Sequence, residues 1–362
     1  MIPLTGIPPA VKDLPQAFSR GFGLGFILPA TLFTTAIAFL LQKYTAFSVS
    51  IDALRATDIS PAVYSLALLL LAAVVLLSRF NRVIYLLLQG YLPPLSWNSR
   101  AKRWFWSEVR RQRAEAQMLR ERFVQGDLLA TEFGRYTALL FRLSETPSTQ
   151  ADILPTRFGN AIRSFETYAH DVYGADGVAV WLRLLSVAST DYASAVKDAC
   201  TEVDFHVNCC MLALVLAVSA LGVGLAETPY DIIVREVSYA WQVSWYGPVP
   251  VGTSSRGFLA IWSPILQLVP FGSLLWFVAA CLAARIFYGF AVATIPAWGD
   301  LVKAGFDCYL PKLADQLGYK LPHSDAKRRE FWRQFSEMVT YRCPPGEPPF
   351  FRSEDWLFPP RR

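Results

Sequence analysis

The sequence lacks the short motifs by which many enzymes are recognised. It contains no GxxxxGKS/T phosphate loop, no GxGxxG segment that joins a strand to a helix, no HExxH and no CxxC pair. Only three histidines occur among the 362 residues, which restricts acid–base and metal chemistry. We therefore expect that the protein is not an enzyme and that it carries no cofactor.

Charge is also scarce, because only 17% of the residues are charged whereas 53% are hydrophobic. This balance indicates a chain that is partly embedded in a membrane and partly solvated. A formal net charge of +5 is typical of contact with anionic lipid at the cytoplasmic face, and we do not expect nucleic acid as a partner. The six cysteines fall in predicted membrane or cytoplasmic segments, so no disulfide framework is indicated.

Four long apolar runs predict four transmembrane helices. The clearest run covers residues 264–298, where Arg285 is the only charged residue. We expect this span at residues 266–284, with Arg285 near the cytoplasmic interface and an apolar extension to about residue 296. The other three spans are expected at residues 21–41, 61–78 and 205–225.

Two of these spans carry further signals. Pro29 predicts a kink in the first span, and the hydroxyls of Thr31, Thr34 and Thr35 can bond carbonyls that the kink releases. The second span is expected to continue as a helix to about residue 90, since its apolar pattern outlasts the bilayer. The second and fourth spans both continue as an apolar segment past an arginine. This similarity leaves open an internal repeat of the two transmembrane hairpins.

The fold class that follows is an all-α integral membrane protein with a helical insert between spans two and three and a helical C-terminal segment. The expected divisions are an N-terminal segment, a first hairpin, the insert, a second hairpin and the C-terminal segment, at residues 1–20, 21–94, 95–204, 205–298 and 299–362. No alternating strand pattern occurs, so the insert should be helical.

Periodicity and capping residues place the helices outside the spans. In the insert they are expected at residues 98–123, at 128–143 and from 156 or 157 to about 168, and a short apolar segment follows a turn at 173–177. Asp191 is a plausible N-cap for a helix that runs directly into the third span. The C-terminal helices are expected at residues 299–317 and 324–339.

The orientation follows from the distribution of basic residues. The two predicted outer loops hold only four of the 34 lysines and arginines, namely Lys43, Arg55, Arg235 and Arg256. Both termini and the insert should therefore face the cytoplasm of a cell whose membrane the chain crosses several times. The expected partners are the lipid bilayer, its anionic headgroups, and either another protein or further copies of the same chain.

One polar cluster lies at the start of the third span. Glu202, His206, Cys209 and Cys210 have spacings of four, seven and eight, which place a carboxylate, an imidazole and a thiol on one helical face. Such a face could bind a soft divalent metal or respond to redox state. The alternative is an interfacial histidine beside two cysteines that pack as small apolar residues.

Two arginines near the ends of spans form a second candidate set. Arg79 and Arg285 carry a charge that is costly in the hydrocarbon core, about 2.5–3.5 kcal/mol at the centre of a helix on insertion scales. They can reach the headgroups at the interface, or they can line a pathway that attracts anions.

A third candidate segment begins at residues 154–160, with the sequence LPTRFGN. Its candidate functional residues are Arg157, Asn160, Arg163 and Glu166. Salt bridges from the arginines to Glu166 or Asp171 explain the charges most simply, whereas a phosphate clamp would also need backbone amides at the start of the helix.

With this segment the chain resembles a family of uncharacterised bacterial multi-pass membrane proteins. The resemblance covers LPTRxGN, a downstream Tyr-Gly turn at 173–174, the FDxY block at 306–309 and the LGYxLP stretch at 317–322. It implies a bacterial cytoplasmic membrane and no particular activity. The chain departs from the family pattern at Gln89, where an acidic residue would precede Gly-Tyr.

Two hypotheses on function follow, and a third has less support. The first is a membrane-anchored interaction or scaffold protein that presents its cytoplasmic helices to a partner. The second is an oligomeric ion channel or pore, because four spans alone enclose little water. The third is a secondary transporter built from the two hairpins.

Overall fold

The computed structural model describes residues 22–41, 61–127, 129–227 and 271–341. These residues form nine α-helices and no β-strand, which confirms the predicted all-α class for this part of the chain. We number the helices in chain order: α1 Leu28–Leu40, α2 Pro61–Gln89, α3 Ser99–Val124, α4 Ala130–Ser144, α5 Arg157–Tyr173, α6 Gly177–Val187, α7 Thr190–Glu227, α8 Phe271–Gln316 and α9 Asp325–Tyr341. The predicted N-terminal segment 1–20, most of both predicted outer loops, with their four basic residues, and the predicted tail after residue 341 lie outside the described residues.

Four helical segments are long and apolar enough to cross a membrane, as predicted. They are Gly23–Leu40, Ala67–Gln89, Thr190–Ala226 and Gly272–Gln316. The last two far exceed the roughly 20 residues that cross the hydrocarbon core. The protein is therefore a multi-pass membrane protein by the length and composition of its helices.

The chain divides into two compact units. The first unit comprises Met1–Phe26, Leu76–Val207 and Gly289–Arg362, and the second comprises Ile27–Val75 and Asn208–Tyr288. The second unit has an apolar core in which half of the residues are alanines, namely Ile37, Leu40, Leu216, Ala217, Ala220 and Ala280. Small side chains let membrane helices pack at short distance.

The helix is irregular just before Pro29, where the sequence predicted a kink. A π-helical turn at Gly23–Ile27 leads into α1, and Pro29 lies in the first turn of the α-helix. The hydroxyls of Thr31, Thr34 and Thr35 donate to the carbonyls four residues earlier, at 2.8, 2.7 and 2.9 Å. The accepting carbonyls belong to Ile27, Ala30 and Thr31 and not to the residue four positions before Pro29, so the bonding of carbonyls released by a kink stays a prediction.

Helix α8 corrects one prediction. We expected the fourth span to end near residue 284, its apolar extension to end near residue 296 and a new helix to begin at 299, but α8 continues through Pro296 and Pro311 to Gln316. The reason is a buried apolar stripe with helical spacing, in which every residue is at most 3% exposed: Ile295, Trp298, Val302, Phe306, Leu310 and Leu313. Burial of this stripe outweighs the hydrogen bond that each proline removes.

Three helix ends show how local sequence acts. Asn98, where the helix was predicted to begin, is the N-cap of α3, since its Oδ1 accepts from the Ala101 amide at 3.0 Å. Helix α7 is continuous into the third span as predicted, but its cap is Ser189, whose Oγ accepts from the Tyr192 amide at 3.3 Å, rather than Asp191. Helix α5 runs five residues beyond the predicted end, to Tyr173, because Gly174 supplies the left-handed conformation that ends it, at φ 74°.

Candidate functional site

The LPTRFGN segment attaches the start of α5 to the end of α2 within the first unit. Thr156 is the N-cap of α5, and its Oγ1 accepts from the Gly159 amide at 2.9 Å. The same hydroxyl donates to the carbonyl of Gln89 at 3.1 Å. Any side chain at position 159 would collide with the Gln89 carbonyl, so glycine permits the close approach of the two helices.

Asn160 closes the loop that precedes α5. Its Oδ1 accepts from the Leu154 amide at 2.7 Å, and its Nδ2 donates to the Leu154 carbonyl at 3.0 Å. Both residues are buried, with Asn160 only 4% exposed. Buried backbone groups need such partners, so the amide of Asn160 takes a structural role that the sequence interpretation had treated as functional.

The charged residues of the segment separate into two environments. Arg157 is exposed, whereas the side chain of Arg163 is only 16% exposed and pairs with Asp152 at 2.5 Å and with Glu166 at 3.4 Å. The predicted pair with Glu166 is confirmed. The predicted alternative, Asp171, instead accepts from the Ser148 hydroxyl at 2.7 Å, and Asp152 takes its place as the partner of Arg163.

The pKa values of these carboxyl groups shift in opposite directions. Burial raises the pKa of Glu166, although Arg163 opposes the shift. Burial also disfavours the charged form of Asp152, but hydrogen bonds from Thr149 and Arg163 together hold its pKa below the usual value. Arg163 thus fixes the 149–155 loop against α5 by binding an ionised Asp152.

A carboxylate with two tyrosines joins α5 to α8. Asp307 Oδ1 accepts from the hydroxyls of Tyr168 and Tyr173 at 2.8 and 2.7 Å. Burial, followed by the contact with Asp307, raises the pKa of Tyr168 to about 12 and also raises that of Tyr173. Both hydroxyls therefore remain protonated donors at neutral pH.

The sequence blocks behind the resemblance each make contacts between helices of the first unit, and two of them contact each other. LPTRFGN holds the end of α2, Tyr173 of the Tyr-Gly turn bonds Asp307 of the FDxY block, and Phe306 of that block packs on Trp181 with ring centroids 5.8 Å apart. In the fourth block, Tyr319 packs against Phe331 of α9 at 5.5 Å. The blocks form contacts between helices and do not line one ligand site.

The predicted metal or redox face is divided between the two units. Glu202 and His206 belong to the first unit, where His206 Nδ1 lies 2.9 Å from the Glu202 carbonyl and the Glu202 side chain is exposed. Cys209 and Cys210 belong to the second unit and are buried. Within the described ranges, no three His, Cys, Asp or Glu side chains are grouped as metal ligands would be.

The two candidate arginines are both exposed. Arg79 lies in the part of α2 that belongs to the first unit, and Arg285 lies in the part of α8 that belongs to the second. The ion pairs found in the described part of the chain include neither. Their exposure is compatible with headgroup contact and with a pathway in an oligomer.

The hairpin of α3 and α4 has a small core of its own and a large exposed apolar surface. Its core consists of Ala116, Leu119 and Leu139, with Tyr136 and Leu143 packed against them. Ion pairs join Arg122 to Glu132 at 2.5 Å and Arg135 to Glu115. The remaining surface includes a set of bulky apolar side chains that are 44–78% exposed: Phe123, Val124, Leu129, Phe133, Leu140 and Phe141.

One polar site was not predicted from the sequence. Asp204 Oδ1 accepts from the hydroxyl of Tyr85 at 2.8 Å and from Nδ2 of Asn81 at 3.3 Å. These donors precede it by 119 and 123 residues, so no local spacing connects them. Only the apolar setting of a single aspartate at the mouth of a predicted span could have drawn attention to it.

Comparison with known proteins adds no assignment. The chain matches no protein-family model, no curated protein and no solved structure. The resemblance given by LPTRxGN and FDxY therefore stays a prediction.

Proposed function

We propose that the protein is a membrane-anchored interaction protein that presents the α3–α4 hairpin to a protein partner in the cytoplasm. The observation that carries this proposal is a stripe along α4 without any charged residue. It follows helical spacing through Ala130, Phe133, Gly134, Thr137, Leu140, Phe141 and Ser144.

The α4 stripe faces away from the core of the hairpin. Phe133, Leu140 and Phe141 are 46%, 44% and 71% exposed, whereas Leu139 on the opposite face is 6% exposed. Exposed apolar patches of this kind mark interaction sites, because burying them is favourable by about 25 cal/mol per Å² of apolar surface. The α4 stripe therefore provides the energy for docking.

Charge indicates the chemistry of the partner. Between residues 99 and 144 the chain has ten basic and five acidic side chains, so the hairpin carries a net charge of +5, equal to that of the whole chain. Arg103, Arg110 and Arg120 are exposed and have no ion pair in the described part of the chain. An acidic amphipathic helix, with its apolar face on the stripe, complements both features.

The same basic residues support a cytoplasmic location for the hairpin. A hairpin with ten lysines and arginines that begins ten residues after the end of α2 is expected to remain in the cytoplasm by the positive-inside tendency. The interaction would then take place at the cytoplasmic surface of the membrane.

Site-specific photo-crosslinking in the native membrane tests the proposal. A photoreactive residue replaces Phe141 on the stripe, and a control replaces the exposed Lys327 in α9. We expect a protein adduct only at position 141, in which the crosslinked segment of the partner is acidic and amphipathic. Leu140→Ser should weaken it, and Arg103→Gln with Arg110→Gln should weaken it more at low salt than at high salt.

The other outcomes contradict the proposal in distinct ways. Adducts with lipid alone would show that the stripe rests on the bilayer. Adducts between two copies of the chain would favour an oligomer, and with it the channel hypothesis. Equal adducts at positions 141 and 327 would show that the stripe has no preferred partner.

A further inference from the structure

Asp204 differs from the other carboxylates of the first unit in its burial and in its hydrogen-bond partners. The other carboxylates with short contacts either pair with arginine, as Asp152 does, or lie exposed, as Asp307 does. Asp204 is half-buried, and among the described residues no ion pair joins it to a cationic side chain. An aspartate in such a setting is costly to keep ionised, so its surroundings should show what compensates it.

The described residues that contact Asp204 are neutral. From α2 they are Asn81 and the fully buried Tyr85, whose ring packs against Phe158 with centroids 5.6 Å apart. From the preceding turn of α7 they are Cys200 and Thr201, and the π-helical turn contributes Gly25, where an added Cβ would lie 3.6 Å from the Cβ of Asp204. The arginines of this part of α2, Arg79 and Arg82, are exposed.

The amide of Asn81 reveals an excess of acceptors. Its Nδ2 donates to Asp204, and its Oδ1 is buried without a hydrogen-bond partner among the described residues. A buried acceptor without a donor is unusual in a native structure. Rotating the amide does not help, because Oδ1 would then face a carboxylate oxygen.

A single cation bound by the Asp204 carboxylate and Asn81 Oδ1 would neutralise the carboxylate and give Oδ1 a partner. We propose that Asp204 and Asn81 form a binding site for one monovalent cation, either H⁺ or Na⁺. A proton on Asp204 removes its charge and provides an O–H donor for Asn81 Oδ1, and Na⁺ bridges the carboxylate and amide oxygens. Tyr85 donates to the carboxylate in either case and sets how strongly the site attracts the cation.

Thermal unfolding of the full-length protein in mild detergent tests the site. Wild type is heated while NaCl replaces choline chloride at constant ionic strength, and separately across a series of pH values around neutrality. Above half saturation, each tenfold rise in the concentration of free cation should raise Tm by roughly 2–4 °C. A response to NaCl identifies Na⁺, and a response to falling pH alone identifies H⁺.

Variants separate the site from general effects of salt and pH. Asp204→Asn should abolish the response, because its amide is neutral, whereas Asp307→Asn should retain it, since Asp307 also accepts from two tyrosines but is exposed. Tyr85→Phe removes a donor that stabilises the carboxylate and should tighten cation binding about tenfold.

Either of two results would overturn the proposal. One is an identical dependence of Tm on Na⁺ and pH in wild type and Asp204→Asn. The other, which applies even if Asp204→Asn does not fold, is a binding midpoint that Tyr85→Phe leaves unchanged. Neither result depends on the partner of the hairpin.

Discussion

Replacing Asn160 by alanine tests whether the LPTRFGN segment is a structural joint. The substitution removes the two hydrogen bonds to Leu154 and leaves a buried amide and a buried carbonyl without partners. Each such group costs about 1–3 kcal/mol, so the free energy of unfolding should fall by about 2–6 kcal/mol. A loss of this size is a large part of the stability of most domains.

The assay is unfolding in mixed micelles of SDS and a mild detergent, followed by tryptophan fluorescence. Arg157→Ala is the matched control, because Arg157 belongs to the same segment but is exposed, and it should change the free energy by no more than about 0.5 kcal/mol. Asn160→Asp keeps the acceptor for the Leu154 amide and loses the donor for its carbonyl, so a partial loss is expected.

Two results would refute the reasoning. If Asn160→Ala and Arg157→Ala unfold at the same SDS fraction, the buried amide does not hold the loop. If Arg157→Ala is the more damaging of the two, the segment acts through an exposed guanidinium, and the phosphate clamp regains support.

Three further predictions concern other parts of the first unit. Gly305→Ala should lower stability by about 1–3 kcal/mol, because the new Cβ meets the Tyr192 hydroxyl; unchanged SDS unfolding would contradict this. The raised pKa of Tyr168, about 12, gives stability that is present below pH ~10 and lost as pH rises through 12, so Tyr168→Phe should flatten the alkaline fall in Tm. An impermeant maleimide should label the exposed Cys308 only after cell disruption, with Cys308→Ser as control; labelling of intact cells would reverse the proposed orientation.

Patterns that act within one helix were readable from the sequence. The start of α3 near Asn98, the apolar periodicity of α3 and α4 and the continuity of α7 all follow from residues that are close along the chain. The continuation of α8 past Pro296 was not readable in this way. It depends on what Trp298 and Phe306 meet in the folded unit, and burial of those side chains decides against the break that proline favours.

The candidate sites also divide into contacts within one helix, which the sequence predicts, and contacts between distant segments, which it does not. Arg163 and Glu166 are three residues apart on one helix, and their pair was predicted. The second partner, Asp152, lies in a loop whose path no periodicity fixes. Asp204 was overlooked in favour of Glu202 and His206, because its significance comes from Tyr85 and Asn81 on a distant helix.

The attachment of α5 to the end of α2 bears on how functions are transferred between sequences. Six of the seven LPTRFGN residues are buried, and Thr156, Gly159 and Asn160 each hold a defined part of the contact between the two helices. A chain that shares these residues shares a way of joining two helices, whatever its activity. The positions to compare before assigning a common role are therefore others: Asp204, Asn81 and the uncharged stripe around Phe141.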